Sequence, residues 1–316
     1  MKVIGHEKEK NLIRKYLDRN FTSYTFLFEG KSCIGKKLVA LQTARAFLCE
    51  KKYGFGCGEC EDCKLVNNVI SNLYEKKELN PHPNLKVITP ENNQIKINQV
   101  REIIEFLKLK SEKGKVVIID EADKMNVESA NALLKTLEEP PDKSMIILIA
   151  ESQSKLLPTI VSRTQKIRFS PLTKEEIIQI LELKGVDKEK AQKLAVLSEG
   201  SMCLPSTVLQ DEKLYTLAKD LFSLLKIENF HPEGIITFAN AIDKLENEKI
   251  LKLLDILDIF INKKVLKGEF SPEFYDDYTE QVKEIRKAIE KGVKKKLAFE
   301  KLYFELKGKT LTQKGE

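Results

Sequence analysis

The chain has 316 residues, a length that predicts two or three domains rather than one. With 42% hydrophobic and 32% charged residues, a polar stretch at residues 1–10 and no apolar run near the ~18 residues of a membrane span, a cytoplasmic protein without membrane contact is expected. The net charge of +6 comes entirely from residues 1–209, with 34 Lys+Arg against 28 Asp+Glu, while Gln210 onward is balanced at 20 and 20; so small and dispersed an excess makes no case by itself for nucleic-acid binding.

In chain order, Tyr24-Thr25-Phe26-Leu27-Phe28 is β-prone and ends in Glu29-Gly30. Leu38, Val39, Leu41, Ala44, Phe47 and Leu48 then recur at helical spacing, predicting a helix over 36–48. Between the two lies Gly30-Lys31-Ser32-Cys33-Ile34-Gly35-Lys36-Lys37, which matches the phosphate loop G-x-x-x-x-G-K and sits in the strand-to-helix context such a loop requires. Backbone N–H groups and the helix N-terminus would cradle a phosphate there, with Lys36 as a point charge. The next position needs a Ser or Thr hydroxyl for Mg²⁺ and instead carries Lys37, so ATP and Mg²⁺ binding is expected to be compromised.

Cys49, Cys57, Cys60 and Cys63 follow, separated by seven, two and two residues, with Gly54, Gly56 and Gly58 interspersed. Four thiolates at this spacing suit a closed, structural Zn²⁺ site, and in a cytosolic chain they read as metal ligands rather than disulfides. An iron–sulfur cluster or a redox pair uses the same residue type, and elemental analysis separates these alternatives.

Val116-Val117-Ile118-Ile119 is apolar on both faces, as in the centre of a parallel sheet, and runs into Asp120-Glu121-Ala122-Asp123. In a nucleotide site an Asp at a strand end holds Mg²⁺ through water, and the adjacent Glu polarises an attacking water. A helix is predicted over 129–137, stopped by Pro140-Pro141, and then a third buried strand, Met145-Ile146-Ile147-Leu148-Ile149-Ala150. This alternation implies an open α/β sheet with its ligand site at the carboxyl ends of the strands. After Phe169-Ser170-Pro171 only helices are predicted. The first opens on a Thr173/Glu176 capping box, a second carries Ala191, Leu194, Ala195 and Leu197, and others follow over 214–225, 233–242 and 249–266, with two more near the end. The stripe Leu251, Leu254, Ile256, Leu257, Ile259 and Phe260 reads mainly as the core of that helical region.

The order of the phosphate loop, cysteine tetrad, His82-Pro83-Asn84, Asp120–Asp123 motif, Asn131-Ala132-Leu133-Leu134-Lys135-Thr136-Leu137-Glu138-Glu139-Pro140-Pro141 and Ser162-Arg163 resembles the AAA+ subunits of bacterial clamp loaders over residues 1–205. The cysteine insertion separates it from the replication factor C relatives, which usually lack one. The resemblance implies an AAA+ nucleotide-binding-like domain at 1–169 with a zinc module at 49–63. It further implies a small helical lid at 170–209 and a helical collar for oligomerisation at 210–316.

Within that family, gamma/tau subunits hydrolyse ATP and a delta-prime subunit acts as a stator. Two departures point to the stator: Lys37, and Gly200-Ser201-Met202-Cys203 where the motors carry Gly-Ser-Leu-Arg. Gly30, Gly35, Lys36, Lys37, Asp120 and Glu121 would then form a degenerate nucleotide site. Ser162-Arg163-Thr164 matches the family's Ser-Arg-Cys motif, whose arginine reaches the ATP of the next subunit. The implied partners are gamma/tau and delta subunits in a heteropentamer, the sliding clamp, and primed DNA through the complex. The competing expectations are an ATP-hydrolysing motor and a stand-alone zinc-containing DNA-binding protein.

Overall fold

The computed structural model describes residues 3–19, 22–52, 54–75, 82–226, 231–290, 292 and 294–312, and divides into two compact units, Met1–Ala191 and Gln192–Glu316. In the first, α1 (Glu7–Leu17), β1 (Ser23–Glu29), α2 (Lys36–Leu48), α3 (Glu61–Glu75), β2 (Leu85–Ile88), α4 (Ile97–Lys108), β3 (Lys115–Ile119), α5 (Val127–Glu138), β4 (Ser144–Ala150), α6 (Pro158–Val161), β5 (Gln165–Arg168) and α7 (Lys174–Leu183) follow one another. The five strands form one parallel sheet in the order β2-β3-β4-β1-β5.

Strand composition explains the layering. Every residue of β3 and β4 is buried, as expected of central strands covered on both faces. Leu27, Val117, Ile119, Ile146 and Leu148 face α4 and α5, meeting Val100, Ile103, Leu107, Leu133 and Leu137 in one core. Phe26 and Phe28 alternate to the opposite face, where Phe26 packs edge-on with Tyr16 of α1 and Phe28 meets Phe169. The three strands predicted from sequence are all present. The four-residue edge strands β2 and β5 were not predicted, and the burial of β5, with only Ile167 covered, shows why: no period-2 pattern exists to be read.

Helix starts follow local chemistry. At α5 the Asn126 side chain accepts the Ser129 N–H at 2.8 Å, starting the helix two residues before the predicted bound. At α7 the predicted capping box is present, with Thr173 Oγ1 accepting the Glu176 N–H at 3.2 Å and Glu176 Oε2 accepting the Thr173 N–H at 2.8 Å.

α8 (Lys188–Leu197) straddles the boundary between the units. The second unit continues with α9 (Cys203–Gln210), α10 (Glu212–Lys226), α11 (Pro232–Ile242), α12 (Asn247–Leu266), α13 (Pro272–Glu290) and α14 (Lys295–Thr312). α12 packs on α10 and α13, and α14 on α11 and α13. Within the stripe read from α12, Leu254, Ile256 and Leu257 are buried, whereas Leu251, Ile259 and Phe260 are partly covered. α12 and α13 also share a polar cluster, in which the Tyr278 hydroxyl donates to Asp258 at 2.5 Å and Arg286 bridges Asp255 and Asp258 at 2.7 and 3.1 Å. Burial raises the Asp258 pKa above the usual carboxylate value, against the opposing pull of Tyr278 and Arg286. No helix among the described residues is long and apolar enough to cross a membrane.

Candidate functional site

The phosphate loop leaves β1 at Gly30, whose φ of 155° would set a Cβ 2.6 Å from the Phe169 carbonyl oxygen, an approach only glycine allows. Ile34, buried at 2% exposure, anchors the loop from below, and its carbonyl oxygen lies 2.7 Å from Nε2 of the buried His6. Gly35 is the N-cap of α2, and no acidic residue occupies the helix's first turn, so that end of the helix retains its affinity for an anion. Lys36 is buried at 7% exposure, and its ammonium donates to the carbonyl oxygens of Gly30 and Lys31 at 2.5 and 2.6 Å. Burial lowers the Lys36 pKa, opposed by the fields of Asp120, Glu151 and Asp123.

Asp120 enters the site from the end of β3, and β4 lies between β1 and β3 in the sheet. Two strand spacings are about 10 Å, a gap a threonine hydroxyl crosses only with a hydrated metal ion between. Lys37 crosses it alone: its Nζ lies 3.1 Å from Asp120 Oδ2. The other oxygen, Oδ1, accepts the Glu121 N–H at 3.1 Å. Glu121 itself is exposed and holds a left-handed φ of 48°, an uncommon conformation for a non-glycine residue. Asp120 and Glu121 both follow β3, and the counter-charge to Asp120 is a lysine of the same chain. Sequence reading identified Lys37 as a lost ligand and missed that it also supplies a cation.

Arg163 lies elsewhere. It follows α6 and precedes β5, and its carbonyl oxygen accepts the Thr25 hydroxyl at 3.0 Å. Thr25 is five residues before Gly30, so the Arg163 backbone sits about 16 Å along the strand from the phosphate loop, toward the amino ends of β1 and β5. Its Nε donates to Glu138 Oε1 at 2.6 Å, Nη2 pairs with the same carboxylate oxygen, and Nη1 donates to the Thr159 carbonyl oxygen at 2.9 Å.

The cysteines converge. The sulfurs of Cys49, Cys57, Cys60 and Cys63 all lie within 4.8 Å of one another, and those of Cys57 and Cys63 are 3.9 Å apart. Four sulfurs ~2.3 Å from a tetrahedral Zn²⁺ stand about 3.8 Å from each other, so the donor set and spacing fit this ion. The Cys57 N–H points at the Cys49 sulfur (3.3 Å) and the Cys60 N–H at the Cys57 sulfur (3.4 Å), contacts that stabilise thiolates. Backbone N–H groups of Cys60 and Glu59 bring the Cys57 thiol down to about 6, while burial pushes Cys63 up to about 12. At Gly56 (φ 92°) a Cβ would fall 3.0 Å from the Cys63 sulfur, so the turn that closes the cluster requires glycine.

A polar chain, buried at Asp62 and His82 and exposed at Lys113 and Glu50, ties this module to the sheet. Asp62, at the start of α3, faces His82 Nε2 at 3.3 Å and accepts from Lys113 at 2.7 Å, and Lys113 also reaches Glu50 at 2.8 Å. The His82 ring accepts the Asn84 N–H on Nδ1 at 3.0 Å, which assigns the Nε2 proton to the side facing Asp62. Burial lowers the His82 pKa against the pull of Asp62, favouring the neutral ring. His82-Pro83-Asn84 was only a family marker in the sequence; its partners Asp62 and Lys113 carried no local signal.

A five-stranded parallel sheet with a phosphate-loop motif after β1, acidic residues after β3 and a cysteine tetrad, followed by helices, is an AAA+-like α/β architecture. A family model described as DNA polymerase III, delta subunit, matches residues 5–173. The chain belongs to the DNA polymerase III delta-prime subunit family, related to the gamma/tau clamp-loader subunits. It is 36% identical over 187 residues to the delta-prime subunit of Bacillus subtilis, covering 58% of this chain and 53% of that protein. To the Pseudomonas aeruginosa delta-prime subunit it is 37% identical over 146 residues, covering 45% and 41%. The Bacillus subtilis tau subunit is 32% identical over 252 residues, covering 79% of this chain and 40% of its own length. The chain thus spans about half the length, or less, of the curated relatives it matches.

Proposed function

We propose that this chain is the delta-prime stator of a bacterial DNA polymerase III clamp loader. In this reading it hydrolyses no ATP itself and presents Arg163 to the ATP of a neighbouring gamma/tau subunit. With gamma/tau and delta subunits it would complete a heteropentamer that opens the sliding clamp and places it on primed DNA. Residues 1–169 serve as the AAA+ domain, 170–209 as the lid and 210–316 as the collar. Cys49, Cys57, Cys60 and Cys63 hold one structural Zn²⁺, which supplies no chemistry to the nucleotide.

The observation that carries the reading is the separation of Arg163 from its own phosphate loop, about 16 Å along β1. An arginine so placed does not serve a nucleotide on the same chain, and its side chain is about one third exposed. The Lys37–Asp120 pair supports the other half: an ammonium 3.1 Å from the carboxylate occupies the interaction that a motor uses for Mg²⁺. Gly30, Gly35 and Lys36 keep the shape of a phosphate cradle without the metal chemistry. A motor would need a hydroxyl at position 37.

Reconstitution tests the role. Gamma/tau and delta subunits with this chain should load clamps onto primed DNA, and the same mixture without it should lose nearly all loading. Full loading in its absence would remove the stator assignment.

A further inference from the structure

Resting on the reading of Arg163 as a finger that acts on another subunit, we infer that Glu138 is a positioning residue that latches this arginine to its own chain and sets how readily it engages a neighbour's nucleotide. Glu138 is the last residue of α5, and its carboxylate takes the Nε/Nη2 edge of the Arg163 guanidinium, with Nε–Oε1 at 2.6 Å. Nη1 donates to the Thr159 carbonyl oxygen at 2.9 Å and contacts Ser162 Oγ at 3.3 Å. A guanidinium has five N–H groups. These contacts take four of them and leave one on Nη2, so a two-point grip on a phosphate of another subunit must displace one of them.

The charge matters more than the hydrogen-bond count. A finger stabilises phosphoryl transfer through its net positive field, and a carboxylate in contact cancels much of that field at the distance of a γ-phosphate. Glu138 also stands where a carboxylate is locally unfavourable, since the carbonyl end of a helix carries partial negative charge. Its neighbour Glu139 adds a second negative charge, and the only basic residue in the last turn of α5 is Lys135. Pairing with Arg163 offsets that cost. The pair is strong enough to hold the arginine and, being part-exposed (32% and 47% of the two side chains), weak enough to exchange.

The test uses the reconstituted loader carrying Glu138→Gln, which keeps the shape and removes the charge. Hydrolysis without clamp and DNA is expected to rise about 2- to 5-fold, the scale of a part-exposed ion pair, with the fully stimulated rate changing less. Glu138→Asp, which keeps the charge, should lie near wild type. The double variant Glu138→Gln/Arg163→Ala should fall to the level of Arg163→Ala alone, because the latch acts only through the arginine. A Glu138→Gln loader that is unchanged or slower, while Arg163→Ala strongly impairs hydrolysis, overturns the latch and leaves the finger standing. An Arg163→Ala loader indistinguishable from wild type removes the finger itself.

Discussion

Arg163→Ala in a reconstituted loader is expected to slow hydrolysis at the one ATP site that faces this chain by on the order of 10³-fold or more. Charge develops on the phosphoryl oxygens as the bond to the leaving group loosens, and a guanidinium there stabilises it. Because only one site is affected, total ATPase activity should fall in part, whereas clamp loading, which needs the sites to act together, should fall further. The fold should survive. The Arg163 side chain is about one third exposed, and its ion pair with Glu138 is of the surface kind, contributing about 1 kcal/mol or less. Arg163→Lys should rescue little, since an ammonium lacks the planar fork that matches phosphate. DNA- and clamp-stimulated hydrolysis of loaders carrying each variant measures this, with zinc content and subunit assembly as controls. Normal hydrolysis and loading with normal assembly would reduce Arg163 to a surface residue.

The second large effect concerns the metal. Freshly purified chain should contain one Zn²⁺, and structural zinc of this type contributes on the order of 10 kcal/mol of apparent binding energy. Cys60→Ser or a strong chelator should open residues 49–63 to proteolysis. The sheet should persist, because its core of Leu27, Val117, Ile119, Ile146 and Leu148 packs on α4 and α5 and draws nothing from the module. The chain of Asp62, His82 and Lys113 predicts how far the damage spreads: to the start of α3 and the ends of β2 and β3 nearest to it, no further. Iron, or no metal at all, in elemental analysis refutes the assignment, and global unfolding of Cys60→Ser would mean that the module is part of the core.

How much of this was legible in the sequence depended on whether the signal was local. β1, β3 and β4 announced themselves as β-branched and aromatic runs, and α7 through a capping box whose two hydrogen bonds are both present. The cysteine tetrad was legible because all four ligands lie within fifteen residues, in a turn-forming segment. By contrast, β2 and β5 are short edge strands whose identity comes from pairing with β3 and β1 rather than from their own residues. The site behaved likewise. Lys37 was conspicuous as a missing hydroxyl, but its partnership with Asp120 spans 83 positions and depends on the strand order. Glu138 stood inside the Asn131–Pro141 motif with no visible task, because its partner Arg163 meets it only after β4 and α6 have folded. Pairwise chemistry across the sheet is the part that needs coordinates.

A phosphate cradle whose Asp120 is paired with Lys37 rather than with a metal ion should not turn over ATP. Steady-state Mg²⁺-dependent ATP hydrolysis by the isolated chain, measured beside the reconstituted loader, tests it most directly. The prediction is no turnover above background by the isolated chain and robust turnover by the loader, with Lys36→Ala in this chain leaving the loader's rate unchanged. Turnover by the isolated chain at the rate of a working motor, abolished by Lys36→Ala, would contradict it.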